Sequence, residues 1–438
     1  MQIGLAERET TDFSEGDYLI LDFGREICGG IRILTFTAGS ARVRIRFGES
    51  PGEACSDLGG KRNATNDHSL RDFSVELQSY SDMTFGNTGF RFVRLDFFGA
   101  VRLKSVLAES HILNKRARYR YAGEDKLTRR IYETAKRTVD LCASSDYLWD
   151  GVKRDRLVWI GDMAPEVIAL TTLYGCLPQI ERSIDFIREQ TPLPGWMSTM
   201  PMYSLWWIIV VSEYFDRTGA WEFTERQMPY LVALLSQIDS CVLESGELSY
   251  PSYFVDWPTH GQSDELAGCR AINIMAMKRA ISLLRTFGLD GSLAEAILSR
   301  LLKIEIEAET SKQVLALKHF ATCLTEKDRE KLICGGAKGM STFMSYYILK
   351  AVASFDRVKA IEMMKEYYGG MLDAGATTFW EDFDLEWVRD GSRIDRLASD
   401  RERDLHGDNG AFCYVGYRHS LCHGWSAGVI GFMKEEGL

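Results

Sequence analysis

The sequence predicts an antiparallel β-sandwich over residues 1–114, followed by a large helical domain over residues 115–438. Three observations carry this: a period-two alternation of apolar residues up to Ser110, a switch to helical spacing after Asn114, and almost no strand pattern beyond it. A chain of 438 residues also exceeds the roughly 250–300 at which single cores stop growing.

In the first half, Ala41-Arg42-Val43-Arg44-Ile45-Arg46-Phe47 is the clearest strand, with Val43, Ile45 and Phe47 toward a core and three arginines toward water. Tyr18–Phe23, Ile31–Phe36 and Phe90–Phe97 repeat the alternation, and Gly29-Gly30 and Gly59-Gly60 read as breaks. In the second half, Leu127, Ile131, Ala135, Val139 and Cys142 share one helix face, opposite Arg129, Lys136 and Arg137. Further helices are expected at Ile180–Gln190, Leu205–Arg217, Met228–Leu243, Ala271–Phe287, Ser292–Ile304, Thr310–Thr322, Ser341–Phe355 and Arg357–Tyr368. Ser292 and Glu295 are spaced as a capping box. About 320 residues at roughly 25–30 per helix and loop give eleven to thirteen helices, too many for one bundle. A closed ring of helical hairpins is an economical way to bury them, with a site in its mouth.

Composition excludes several functions. The 45% hydrophobic and 26% charged residues are globular, and a net charge of −10 offers no basic field for nucleic acid. Trp206–Val211 is about a third of a membrane span, and the opening MQIGLAERETTDF carries no apolar signal core, so a cytoplasmic protein is expected. Ten cysteines without C-x-x-C spacing read as buried, reduced thiols, and the isolated pair Cys422-His423 does not suggest zinc. No phosphate-binding loop, dinucleotide fingerprint or nucleophile elbow is present.

Four segments interrupt the helical pattern with acids and aromatics. The first is Tyr147–Asp162, where a helix from Arg154 would put Asp155, Trp159 and Asp162 on one face. Read as structure alone, it is an Arg/Asp ion-pair cluster at a helix start. The second is Gly375–Asp384, with Glu381 beside Trp380, or else a solvated loop. The third is Tyr253–His260, with Asp256 beside Trp257. The fourth is Ser420–Gly428, with His423 and Trp425, where the histidine could equally be structural. An indole beside carboxylates suits a sugar, whose C–H face stacks on the ring while acids bind its hydroxyls. Two such carboxylates fit glycoside hydrolysis.

At these residues the sequence resembles the α-L-rhamnosidases of glycoside hydrolase family 78, within the six-hairpin glycosidases. That family carries a segment close to D-C-P-x-R-(D)-E-R-x-G-W-x-G-D. Here the chain reads Asp150-Gly151-Val152-Lys153-Arg154-Asp155-Arg156-Leu157-Val158-Trp159-Ile160-Gly161-Asp162. Thr377-Thr378-Phe379-Trp380-Glu381 looks like the family's T-T-x-W-E, Asp256-Trp257 like its D-W, Ser420–His423 like its S-L-x-H, and Leu21–Gly24 like the opening of its β-sandwich. The resemblance implies an (α/α)6 barrel behind a β-sandwich and inverting hydrolysis of a terminal α-L-rhamnoside or similar deoxy-sugar glycoside, with neither cofactor nor metal. It places Asp155 as general acid and Glu381 as general base. Asp150, Arg154, Trp159, Asp162, Asp256, Trp257, Trp380 and His423 would line or support the sugar subsite, with Trp425 a further substrate-binding candidate. The chain departs from the pattern in having Asp155 for the usual Glu, Gly151-Val152 for Cys-Pro and Val158 for Gly, and in ending about fifteen residues after His423, so a minimal or truncated member is expected. An (α/α)6 sugar isomerase or epimerase and a catalytically impaired carbohydrate-binding relative remain alternative readings, and a homo-oligomer stays open.

Overall fold

The computed structural model describes residues 10–36, 39–412 and 415–438. The first nine residues, on which much of the signal-core reading rests, lie outside the described residues, as does Cys413.

The N-terminal part folds as β1 (Thr11–Phe13), β2 (Tyr18–Thr35), β3 (Ala41–Gly48), β4 (Asp72–Leu77), β5 (Asp82–Phe97) and β6 (Val101–Ser110), with the short helix α1 (Pro51–Cys55) after β3. The alternation predicted a sandwich; the six strands hydrogen-bond into one curled antiparallel sheet of order β1-β6-β2-β5-β3-β4. Its core holds Phe23, Ile31, Ile33, Val43, Ile45, Phe47, Phe90, Val93, Leu95 and Leu103. Gly29-Gly30 does not end a strand as expected but sits inside β2, at a register shift against β5. A Cβ on Gly29 would lie 2.1 Å from the Glu109 carbonyl oxygen, and one on Gly30 2.5 Å from that of Gly86. These glycines admit neighbouring strands rather than break the chain. Arg46, expected in water, is buried, because Asp96 accepts from it at 2.7 Å.

The remainder is helical: α2 (Lys126–Cys142), α3 (Met163–Tyr174), α4 (Pro178–Glu189), α5 (Pro201–Thr218), α6 (Trp221–Asp239), α7 (Glu265–Thr286), α8 (Ser292–Leu301), α9 (Lys312–Ala321), α10 (Glu326–Ile333), α11 (Ser345–Ala353), α12 (Arg357–Asp373) and α13 (Val429–Glu435). Among the described residues, α3 packs on α5, α5 on α7, α7 on α9, α9 on α11, α11 on α13, and α13 back on α3. Each of those helices buries most of its residues. The apolar run Trp206–Val211 is wholly buried within α5, and no described helix is long and apolar enough to cross a membrane.

Three local expectations are corrected. Residues 151–162 are not helical; α3 begins only at Met163, because Asp155 and Arg156 both take positive φ, 52° and 56°. The Ser292/Glu295 capping box does not form: the Ser292 hydroxyl donates to Asp290, and Glu295 pairs with Arg285. Cys28, Cys142, Cys241, Cys269 and Cys422 are buried thiols, but Cys176, Cys323 and Cys334 are exposed.

Candidate active site

Backbone pairing, not a helix face, brings the chemistry together. Gly151 bridges His423, the Gly424 amide donates to the Asp150 carbonyl at 2.7 Å, the His423 amide to that of Phe379 at 2.9 Å, and the Glu381 amide to that of Ser420 at 3.0 Å. Three of the four segments are thereby laced into one floor. The cavity above it is about 280 Å³, just under the range of roughly 300–1,000 Å³ for ligand pockets. Its wall is made by the stretches that lead into α3, α5, α7 and α13, so it opens at one end of that circuit.

Asp150, Arg154, Asp155, Trp159, Asp162, Trp257, Glu381, His423 and Trp425 line the cavity. Asp256 and Trp380 do not. Asp256 lies buried below Trp257, accepting from the Trp257 amide at 2.8 Å and from the Ser341 hydroxyl, and burial pushes its carboxyl up to about 6. Trp380 is fully enclosed, edge-on to Phe383 and His419. Sequence reasoning missed Tyr203, which stands on the first turn of α5, and Ser198, Thr199, Met200 and Phe254. The irregular Gly195-Trp196-Met197-Ser198 stretch ahead of a helical run was the signal available for that wall.

One guanidinium spans the two acids of interest. Arg154 meets Asp155 Oδ1 through Nη1 at 3.0 Å and donates to Glu381 Oε1 through Nη2. Glu381 Oε2 accepts from the Ser420 amide at 3.1 Å. Burial raises the Glu381 carboxyl, and the Arg154 charge and the Ser420 amide oppose the rise. Asp155 differs in keeping its side chain 17% exposed, against 3% for that of Glu381.

Beneath them lies a set of buried acids. Asp162 accepts from the Tyr203 hydroxyl at 2.7 Å, and burial, with the charges of Glu381 and Asp155, pushes it up to about 8. Asp150 is held well above the carboxylate range by burial and the same kind of repulsion, although the Leu157 amide donates to it at 2.9 Å. Glu166 on α3 is also raised by burial, and neither of its oxygens has a protein partner. Burial favours the neutral form of all three, and Asp162, at about 8, is at neutral pH a carboxylic acid that can both donate and accept. His423, kept neutral by burial and by Arg154, lies against Trp425 with ring centres 4.1 Å apart and planes tilted by 39°, and points Nε2 toward Asp150, Asp162 and Glu381 at 3.7–3.8 Å. Its Nδ1 and the Trp159 indole N–H are buried without a protein partner. An apolar, indole-walled space edged by unsatisfied polar atoms fits a small polyhydroxylated ring.

Among the described residues, two groups bring ligand-type atoms within 4.8 Å of one another: Asp150, Asp162 and His423 in the cavity, and Glu49, Glu53 and His406 outside it. In the second, a positive charge is already supplied by the fully buried Lys153, whose Nζ lies 3.0 Å from Glu53 and 3.3 Å from Glu49.

No family model matches the sequence, and no curated protein matches it either. Solved structures do. A rhamnosidase from Klebsiella oxytoca with rhamnose bound superimposes at a TM-score of 0.77 and 19% identity, over 98% of this chain and 89% of that one. The chain has the fold of the α-L-rhamnosidases. A family 78 rhamnosidase from Bacillus sp. GL1 matches at 0.72 and 19% identity, over 95% of this chain and 46% of that one. The Streptomyces avermitilis α-L-rhamnosidase complexed with L-rhamnose matches at 0.70 and 13% identity, over 98% and 43%. The chain thus spans most of the first protein and less than half of the other two.

Proposed function

We propose that this protein is an inverting glycoside hydrolase that releases a terminal α-L-rhamnosyl or similar deoxy-sugar residue from a glycoside. The observation that carries the proposal is the cavity in which Asp155 and Glu381 sit on opposite nitrogens of Arg154, with Trp425 and His423 packed against each other in its lining. Asp155, at the more exposed edge, protonates the glycosidic oxygen as its bond to the anomeric carbon breaks. Glu381, fixed by Arg154 and Ser420, takes a proton from the water that attacks that carbon from the other face. Trp159, Trp257 and Trp425 supply apolar faces for the ring, and Asp150 and the protonated Asp162 bind hydroxyls, with Asp256 and Trp380 bracing the wall. In this reading the chain divides near residue 114, the circuit from α3 to α13 is the inner layer of an (α/α)6 barrel, and the substrate is an oligosaccharide or other glycoside.

The test is hydrolysis of aryl α-L-rhamnoside within a panel of aryl glycosides, with the first-formed anomer followed by NMR. Turnover with an inverted anomer supports the proposal. A retained anomer removes the two-carboxylate water mechanism, and a folded protein that binds sugar without turnover is the impaired relative instead.

A further inference from the structure

The sequence puts Arg129, Lys136 and Arg137 on the polar face of α2, and that face is not simply solvated. With the end of α12 and a bulge of β2 it walls a cleft of about 540 Å³, larger than the candidate active cavity and sharing no lining residue with it. β2 makes its side of the cleft by leaving its register. Asp22 pairs with Phe92 and Ile27 with Phe90, so five steps along one strand answer two along the other, and the excess lifts Arg25 into an exposed position. The bulge is pinned, because the Glu26 amide donates to the Thr377 hydroxyl at 2.9 Å and Arg137 Nη2 donates to the Glu26 carbonyl.

Five cations line this cleft, Arg25, Arg129, Arg130, Lys136 and Arg137, against two acids, Glu133 and Asp140. Asp140 is already engaged: it pairs with Lys136 and accepts from the Tyr174 hydroxyl at 2.5 Å. Among the described residues none of the four arginines makes an ion pair. The carbonyls that Arg129 and Arg130 meet, Gly123 at 2.6 Å and Leu372 at 3.5 Å, hold the side chains but carry no charge. Elsewhere arginines take carboxylates, as Arg44 does with Asp72, Arg62 with Asp408 and Arg396 with Glu402, in a chain of 62 acids to 52 bases. Arg137 is the most enclosed of the four, and its Nε is buried with no partner. Burial and the charge of the nearby Arg25 both pull the Arg137 guanidinium below its ordinary value. Bringing these cations together costs electrostatic energy that an anion between them would recover.

We propose that the cleft is a second binding site, for the doubly charged oxyanion group of a phosphate or sulfate, free or carried on a small organic molecule. A guanidinium fork meets two oxygens of such a group at once, and each of these arginines has nitrogens left over for it. The Thr377 hydroxyl, accepting from Glu26, has its own hydrogen left to give. Five cations less two acids leave the lining a net charge of +3, which suits a dianion. The volume exceeds that of one tetrahedral oxyanion and leaves room for an organic group beyond it. The site stands apart from the glycosidase reading, since it uses neither the acid nor the base assigned there.

The experiment titrates the full chain with inorganic phosphate, sulfate and phenyl phosphate by isothermal calorimetry at pH 8, with sodium chloride holding the ionic strength constant. The expected result is one saturable site per chain with a Kd of about 1 mM or tighter. Arg25→Ala or Arg130→Ala should weaken it about tenfold or more, and Arg285→Ala, at an exposed arginine outside the cleft, should leave it unchanged. Both cleft variants change exposed side chains, and circular dichroism checks their fold. Tighter binding of phenyl phosphate than of inorganic phosphate identifies an esterified ligand, and equal or weaker binding a free oxyanion. No saturation by about 20 mM overturns the site, as does binding that Arg25→Ala and Arg130→Ala leave intact. If L-rhamnose displaces that intact binding, the anion sits at Arg154 in the candidate active cavity instead.

Discussion

Replacing Asp162 by Asn tests whether the cavity floor is protonated at neutral pH. In the folded chain the Asp162 carboxyl, buried and beside Glu381 and Asp155, titrates at about 8; in the unfolded chain an aspartate titrates at about 3.9. Between those values the folded state binds a proton that the unfolded state has released. Stability must therefore fall as pH rises through this window, by up to about 1.4 kcal/mol per pH unit for this one group. From pH 5 to pH 7 that amounts to about 3 kcal/mol. Asn keeps the shape, and its amide can still accept from Tyr203, but it does not titrate. The variant's unfolding free energy should therefore lose about 3 kcal/mol less than that of the wild type over those two units. Urea unfolding at pH 5, 6 and 7, followed by tryptophan fluorescence, gives the difference directly. If the difference between the two proteins stays constant to within about 0.5 kcal/mol, Asp162 is ionised in the folded state and the neutral-donor role is wrong.

Asp155→Asn and Glu381→Gln should each lower turnover of a poor-leaving-group rhamnoside by about a hundredfold or more, with melting temperature little changed; near-normal turnover in either removes that residue's role. His423→Ala should weaken substrate binding, read as KM or by calorimetry, more than it lowers the melting temperature, since Nδ1 has no protein partner to lose. A variant that fails to fold makes the histidine structural. Lys153→Met should cost about 3–5 kcal/mol in denaturant unfolding, because it strands the buried Glu49 without its counter-charge and leaves Glu53 only Arg71, 3.7 Å away. A loss below about 1 kcal/mol would show that water or protonation already relieves them.

Most elements with one apolar face were legible in the sequence. The alternation in β3 and the spacing in α2 each reflect burial on one side only, and period reports that contrast. α3 was missed for the opposite reason: nearly every residue from Met163 to Tyr174 is buried, Glu166 included, so no contrast exists to read. α10 is short and polar, and its capping box, Thr325 with Asp328, was the signal left unused. The candidate site was legible as residue types and not as geometry. Asp155, Trp159 and Asp162 share a cavity, as expected, but they reach it along a loop that turns left-handed at Asp155 and again at Arg156, a residue with no preference for it. Long-range bonds from His423 and Gly424 to the 150s shape that loop, and no local spacing encodes them.

The same bonds explain why His68 and Glu49, both from the N-terminal sheet region, escaped notice as contributors to the site. Glu49 Oε2 accepts from the Leu421 amide at 2.6 Å, and Glu49 Oε1 accepts from the Ser420 hydroxyl at 3.3 Å. Ser420 in turn presents its amide to Glu381 at 3.1 Å. Lys153 ties the arrangement from the other side, donating to the His419 carbonyl at 2.7 Å while it faces Glu49 and Glu53. An apolar contact between the two halves could bury as much surface, but it would tolerate sliding, and a sliding 419–422 segment would carry Glu381 with it. Directional bonds to a buried ion cluster fix register where packing alone does not. The sheet region is therefore part of the apparatus that places the proposed base, and through His68, whose Nδ1 lies 2.8 Å from Asp155 Oδ1, it also touches the proposed acid.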